Sequence, residues 1–199
     1  LQGAFGALTV TMKLFPAIVT LHLIGGVILL ALLAFQAATT LAPVQIADDQ
    51  RRRGLRLALA FSALLLMAQI ALGGWVSTNY AVLACDSFPA CQGSYWPDMA
   101  FAEGFELWRP LGHTAMGELL SFQALTAIHY VHRLFAYAVI ACMLGLVWLL
   151  WRSPLRAESR ATLGLVTLQF LTGLSNVVLG WPMPAAILHT GGAAAMTVL

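Results

Sequence analysis

Apolar residues in this chain come in long unbroken runs rather than in the alternating stripes of water-soluble helices or strands. A helix needs about 20 apolar residues to cross the hydrocarbon core of a bilayer. Full spans are predicted at residues 17–41, 57–80, 127–151 and 161–181, and shorter apolar runs cover residues 1–11 and 185–199. The pattern predicts an all-α integral membrane protein embedded in a lipid bilayer.

Composition agrees with this prediction, because 60% of the residues are hydrophobic and only 9% are charged. A soluble domain carries about 25% charged residues. The formal net charge of +2 gives no indication of nucleic-acid binding. Since the first and last residues both fall inside apolar runs, we expect the chain to be part of a longer protein.

The basic residues predict how the chain crosses the membrane. Two short loops on the same side hold most of them: Arg51, Arg52, Arg53, Arg56, Arg152, Arg156 and Arg160. Loops rich in arginine and lysine stay on the cytoplasmic side of a membrane. The long segment 81–126 is therefore predicted to face the periplasm of a bacterial inner membrane or, as an alternative, the intermembrane space of a mitochondrion.

Two cysteines, Cys85 and Cys91, lie in this outer segment. The compartment outside the membrane is oxidising, so the pair is expected to form a disulfide. A zinc site is the alternative, but two sulfurs without a neighbouring histidine make a poor set of zinc ligands.

An internal repeat relates the two ends of the chain. Matched residues lie 167 positions apart without a gap, and a glycine pair follows each Leu-His. The matches are Gln2 with Gln169, Gly6 with Gly173, Val10 with Val177, Leu21 with Leu188 and His22 with His189. The repeat predicts two related helical bundles.

Histidines at matched depth are the main functional signal. His22, His132 and His189 lie about five or six residues from the outer ends of their predicted helices, roughly 6–9 Å below the membrane surface. Ionisable residues within membrane helices are usually functional. Histidines from different helices of one bundle suit a haem iron with two axial imidazoles. We therefore predict haem ligation, with His132 and His189 as one pair, and a solvated loop position for His113.

Neighbouring residues fit the same interpretation. Arg133 needs an anionic partner, which a haem propionate would provide. His129 is one helical turn from His132 and is either an alternative ligand or, as we predict, a neighbour that hydrogen-bonds a propionate or a water. Small residues are expected where a flat macrocycle approaches the backbone: Gly173, Gly180, Gly191 and Gly192.

At these residues the sequence resembles the haem A synthases, membrane proteins of eight helices in two similar four-helix bundles. The resemblance rests on Ile-His-Tyr-Val-His-Arg at 128–133, on the two Leu-His helix starts, and on Gly-Gly-Trp at 73–75 before the cysteines. It covers the whole chain as the C-terminal three-fifths of a family member. It implies the end of a first bundle at 1–41 with His22, a cytoplasmic loop at 42–56, and a second four-helix bundle at 57–199 whose outer loop is 81–126 and whose last helix is cut.

The resemblance also implies chemistry. His132 and His189 would hold a haem B, and His22 would belong to the first bundle, where haem O is bound and its C8 methyl group is oxidised to a formyl group. The family's outer-loop disulfide would be Cys85–Cys91. Partners suggested by the family are the haem O synthase, oxidase assembly factors and further copies of the protein.

One departure limits what this chain does alone. In the family's first bundle the motif reads Glu-x-x-His-Arg, with a catalytic glutamate, whereas His129 occupies the equivalent slot here. The repeat offset places the first-bundle counterpart of His132, the histidine that should face His22, before the first residue, so we assign no catalytic residue. A di-haem cytochrome b that transfers electrons without modifying haem would use the same histidines, and the residues alone leave that alternative open.

Overall fold

The computed structural model describes residues 1–40 and 49–199. Within these ranges the chain forms seven α-helices and no strand. The helices are α1 Gln2–Thr11, α2 Pro16–Ala38, α3 Asp49–Thr78, α4 Phe101–Gly104, α5 Phe122–Trp151, α6 Arg156–Val178 and α7 Met183–Val198. Four segments are long and apolar enough to cross a membrane: Pro16–Ala38, Arg52–Thr78, Phe122–Trp151 and Arg156–Val178. The predicted all-α membrane fold is confirmed.

Four helices enclose a common interior. α3 packs on α5, α5 on α6 and α6 on α7, and contacts between α7 and α3 close the ring. α2 lies against α3 and α7, and α1 packs on α2. The chain therefore contains one closed four-helix bundle with a further helix pair beside it. Residues 42–48 of the predicted cytoplasmic loop lie outside the described residues.

Three helices begin five or more residues earlier than the apolar runs predict. α3 begins at Asp49 rather than Leu57, α5 at Phe122 rather than Ala127, and α6 at Arg156 rather than Ala161. Arginine is a good helix former, so a helix continues through it beyond the apolar core of the membrane. The predicted loop 42–56 is shorter than expected for this reason, and loop 81–126 is shorter because α5 begins at Phe122.

The first turns of α5 are buried in the loop rather than in lipid. The helix has 30 residues, about 45 Å at 1.5 Å per residue, which exceeds the roughly 30 Å of the hydrocarbon core. Ala124 and Ala127 in its first turns are 0% exposed. A Cβ at Gly104 of α4 would lie 2.7 Å from the Ala124 carbonyl oxygen, so only glycine allows this close approach.

A carboxylate fixes the first turn of α5. Glu103 accepts hydrogen bonds from the backbone N–H and the hydroxyl of Ser121, both at 2.6 Å. Ser121 in turn accepts from the Ala124 backbone N–H as the N-cap of the helix. These bonds to the ionised form lower the pKa of Glu103 below its ordinary value.

A buried arginine ties the rest of the loop to α3. Arg109 is 0% exposed, and its Nη2 donates to Asn79 Oδ1 at 2.7 Å. Its guanidinium lies 5.6 Å from the ring centroid of Trp75, whose Nε1 donates to the Gly104 carbonyl at 2.9 Å. Burial lowers the pKa of Arg109. The loop is therefore an ordered cap at the end of the bundle opposite the arginine-rich helix starts.

Candidate functional site

A cavity of about 1010 Å³ lies within the bundle and against α2. It is at the upper limit of the 300–1,000 Å³ typical of small-molecule and cofactor sites. Most of its wall is aliphatic, and four of the predicted site residues line it: His129, His132, Arg133 and His189. His22 is not among the lining residues. The structure thus brings the two histidines of the predicted pair to one apolar cavity, from α5 and α7.

His189 is held by α6 at two points. Its Nδ1 lies 3.0 Å from the hydroxyl oxygen of Thr172, and its backbone carbonyl accepts a 3.0 Å hydrogen bond from Gln169 Nε2. Its ring packs on Gly173, where a Cβ would lie 3.2 Å from the imidazole Cε1. These contacts leave Nε2 as the ring nitrogen without a protein partner among the described residues.

His132 is held by α3 in a related way. Gln69 Nε2 donates to the His132 carbonyl at 3.2 Å and lies 3.1 Å and 3.4 Å from the two ring nitrogens. Being close to both nitrogens, the amide lies over the face of the ring rather than in its plane. A Cβ at Gly73 would lie 3.0 Å from the His132 Cε1, so the ring packs on backbone here too.

The same unit occurs three times in the described structure. A glutamine and a glycine four residues later on one helix face a histidine on a neighbouring helix. The three units are Gln2, Gly6 and His22; Gln69, Gly73 and His132; Gln169, Gly173 and His189. The 167-residue repeat predicts the first and third units but not the second, whose signal in the sequence is the Gln-x-x-x-Gly spacing at 69–73.

Two of the glycines predicted to contact the macrocycle, Gly180 and Gly192, have another role. A Cβ at Gly192 would overlap the amide nitrogen of Gln169, so this glycine makes room for the glutamine. Gly25 makes the same room for Gln2. Gly180 lies in the turn before α7 with a φ of +66°. Gly173 and Gly191 line the cavity.

Arg133 connects the cavity to the disulfide loop. Its Nη2 donates to the carbonyls of Pro89 and Ala90 at 3.1 Å and 3.3 Å, and its guanidinium lies 5.4 Å from the ring centroid of Phe88. Its Nη1 is buried without a hydrogen-bond partner. One side of the guanidinium therefore holds the loop while the other is left for a further acceptor.

His129 is buried beside the cavity and makes one hydrogen bond, between its Nδ1 and the Ala81 carbonyl at 3.0 Å. A carbonyl oxygen only accepts, so Nδ1 carries the proton. His22 lies against Gly6 of α1, and its Nδ1 is buried without a partner. His113 is exposed in the loop, as predicted.

Cys85 and Cys91 form a disulfide with an S–S distance of 2.02 Å. The predicted disulfide is confirmed, and the zinc alternative for this pair is wrong. Within residues 1–40 and 49–199, no three His, Cys, Asp or Glu side chains converge as a metal site would require. No described residue that lines the cavity is a carboxylate.

An all-α membrane bundle that presents two histidines from different helices to one apolar cavity is typical of membrane proteins that bind a haem. This chain belongs to the COX15-CtaA family of cytochrome oxidase assembly proteins, whose family model matches residues 1–199. The resemblance stated from the sequence is thereby confirmed.

Curated relatives are named haem A synthase. The chain is 38% identical over 194 residues to the Shewanella oneidensis protein, covering 97% of this chain and 59% of that one. It is 32% identical over 202 residues to the Methylobacterium nodulans protein, covering 95% and 52%. The Beijerinckia indica protein is 29% identical over 185 residues, covering 90% and 48%. The chain thus spans roughly half to three-fifths of these relatives, and no solved structure matches it significantly.

Proposed function

We propose that the cavity of the bundle binds a haem B between His132 and His189, and that the whole protein is a haem A synthase that oxidises the C8 methyl group of haem O to a formyl group. The proposal rests on one observation: a histidine of α5 and a histidine of α7 line the same apolar cavity. Two opposed imidazoles are the ligand set of a low-spin haem in a helical bundle.

Unpartnered polar atoms in the wall support a ligand with a polar edge. Arg133 Nη1, Gln69 Oε1 and Asn176 Oδ1 are buried without hydrogen bonds, and all three residues line the cavity. A buried unsatisfied polar group costs about 1–3 kcal/mol. A propionate at Arg133 would remove that cost through a charge-assisted bond. The residues present therefore fit a haem.

The roles of the chain's own residues follow from this fit. His132 and His189 would ligate, and Arg133 would hold a propionate next to the disulfide loop. His129 would accept a hydrogen bond through Nε2, for example from a water at the haem edge, because its Nδ1 proton is donated to the Ala81 carbonyl. When bound, the haem supplies one-electron redox chemistry at its iron. The apolar wall excludes water from it.

Since no described carboxylate lines the cavity, we propose that this bundle carries electrons and that the oxidation of haem O takes place in the other bundle, to which His22 belongs. Positive loops on the cytoplasmic side would place the disulfide loop in the periplasm. Haem O synthase, oxidase assembly factors and further copies of the chain are the proposed partners.

The test is spectroscopic. The purified chain should show a low-spin bis-imidazole haem spectrum that His132→Ala and His189→Ala each abolish. His22→Ala and His113→Ala are controls that should leave it unchanged, because neither residue lines the cavity. A spectrum that survives His132→Ala would overturn the ligand pair.

The activity needs a separate assay. The full-length protein would be incubated with haem O and an electron donor, and the extracted haem separated by chromatography. A formylated product supports the synthase. Unchanged haem supports a cytochrome b that only transfers electrons.

A further inference from the structure

We propose that Thr172 is a positioning residue that keeps His189 protonated at Nδ1, so that Nε2 is the nitrogen presented to the cavity and its strength as an iron ligand is set by this threonine. The part that concerns iron rests on the proposed function. The tautomer itself follows from the hydrogen bonds of the protein.

The hydroxyl of Thr172 has a single proton and can therefore donate only one strong hydrogen bond. Thr172 Oγ1 lies 2.7 Å from the Leu168 carbonyl oxygen and 3.3 Å from that of Gln169. Carbonyl oxygens only accept, so the hydroxyl donates to Leu168, the nearer of the two. Its remaining contact, at 3.0 Å, is with His189 Nδ1, and there the hydroxyl oxygen must accept. Nδ1 therefore carries a proton.

Packing keeps the ring in this orientation. Thr172 is 6% exposed, so water does not readily replace its hydroxyl. Gln169 holds the His189 carbonyl at 3.0 Å, and Gly173 lies against the Cε1 edge of the ring. A ring flip would exchange an N–H donor for a C–H at Thr172 and lose the bond.

The other two copies of the Gln-x-x-x-Gly unit lack this hydroxyl. The position three residues after the glutamine is Phe5 in the unit of His22 and Leu72 in that of His132. Accordingly, His22 Nδ1 has no partner, and His132 has the Gln69 amide over its ring. The three histidines share one packing arrangement, but only His189 receives a hydroxyl acceptor at Nδ1.

The consequence is electronic. A histidine that donates its second N–H to an acceptor becomes a more basic ligand, and loss of such a partner typically lowers metal affinity about 10- to 100-fold. A more basic axial ligand stabilises the oxidised iron. Removal of the threonine hydroxyl should therefore raise the haem reduction potential and weaken haem retention.

The experiment compares Thr172→Val, Thr172→Ser and Thr167→Val in the whole chain. Thr167 is the matched control, because its hydroxyl also bonds the carbonyl one turn earlier on α6, at 2.9 Å, but is exposed. In protein labelled with ¹⁵N-histidine and free of haem, the His189 imidazole should show a protonated Nδ1 in the parent, in Thr172→Ser and in Thr167→Val. Thr172→Val should lose that preference.

In haem-loaded protein, Thr172→Val should keep a low-spin spectrum, raise the reduction potential, and release haem about 10- to 100-fold more readily. Thr172→Ser should restore both properties. Parent-like tautomer and potential in Thr172→Val would overturn the inference. A tautomer change in a chain that takes up no haem would support the role of Thr172 and overturn the proposed haem site instead.

Discussion

Replacing Gly173 by alanine tests whether close packing sets the position of His189. The added Cβ would lie 3.2 Å from the imidazole Cε1 and 3.7 Å from Nδ1, where ordinary contacts begin near 3.4 Å. The ring cannot move away freely, because Thr172 bonds its Nδ1 and Gln169 bonds its backbone carbonyl. We expect the imidazole to shift by a few tenths of an ångström and one of these bonds to lengthen.

Two free-energy terms oppose each other in this variant. Alanine is favoured over glycine within a helix by about 1 kcal/mol. Overpacking costs about 1–3 kcal/mol, and the small overlap here indicates the lower half of that range. The free energy of unfolding of the haem-free protein should therefore fall by about 1 kcal/mol or less. If the displaced His189 costs 1–2 kcal/mol of binding free energy at the proposed haem site, haem binds about 5- to 30-fold more weakly.

The matched control is Gly164→Ala on the same helix, where an added Cβ meets nothing within 4 Å. It should gain up to about 1 kcal/mol in stability and leave haem binding unchanged. Thermal unfolding of the haem-free proteins and the rate of haem transfer to an excess of acceptor apoprotein measure the two effects. If Gly173→Ala matches Gly164→Ala in both, His189 is not positioned by contact with α6.

Three further predictions concern the loop and its neighbours. A membrane-impermeant maleimide should label Cys85 and Cys91 in sealed cells only after reduction. Labelling without reduction would contradict the disulfide. Labelling that occurs only after cell lysis would contradict the outward orientation of the loop. His129→Ala should keep the low-spin spectrum but shift the haem potential; loss of that spectrum, with its survival in His132→Ala, would reverse their roles. Because the pKa of Glu103 is lowered, this carboxylate should stabilise the folded protein above its ordinary pKa and lose that effect in acid. Thermal unfolding of Glu103→Gln should therefore depend less on pH below about 5 than unfolding of the parent. An equal pH dependence in the two proteins would contradict this.

The membrane spans were predictable because the bilayer itself selects long apolar runs. The helix ends were not, because a helix continues past the hydrocarbon core both where a loop covers it and where good helix formers such as arginine extend it into water. At the end of the bundle that carries the loop, Glu103 and Ser121 begin α5 ahead of the apolar run, and Ala124 is buried by the loop. At the opposite end, α3 and α6 continue into arginine-rich segments that hydropathy assigns to loops.

The candidate site shows the same limit at the level of single residues. The repeat gave His22 and His189, because matched positions can be counted along the chain. The Gln69 unit is not related by the 167-residue offset, so counting alone did not find it. The burial of Arg109 depends on Trp75 and Asn79, about 30 residues away. Local sequence carries no signal of that contact.

The three Gln-x-x-x-Gly units separate two tasks, positioning a histidine and setting the chemistry of its ring. Position is set by the shared part of each unit, because glycine lets the imidazole pack on backbone, and in the units of His132 and His189 the glutamine amide also bonds the histidine carbonyl. Ring chemistry is set by a different residue, three positions after the glutamine, where only the third unit has a hydroxyl. Because the two tasks depend on different side chains, the ligand field can change while the helix packing stays the same. If His132 and His189 ligate a haem as proposed, they would therefore differ in donor strength although one fold holds both.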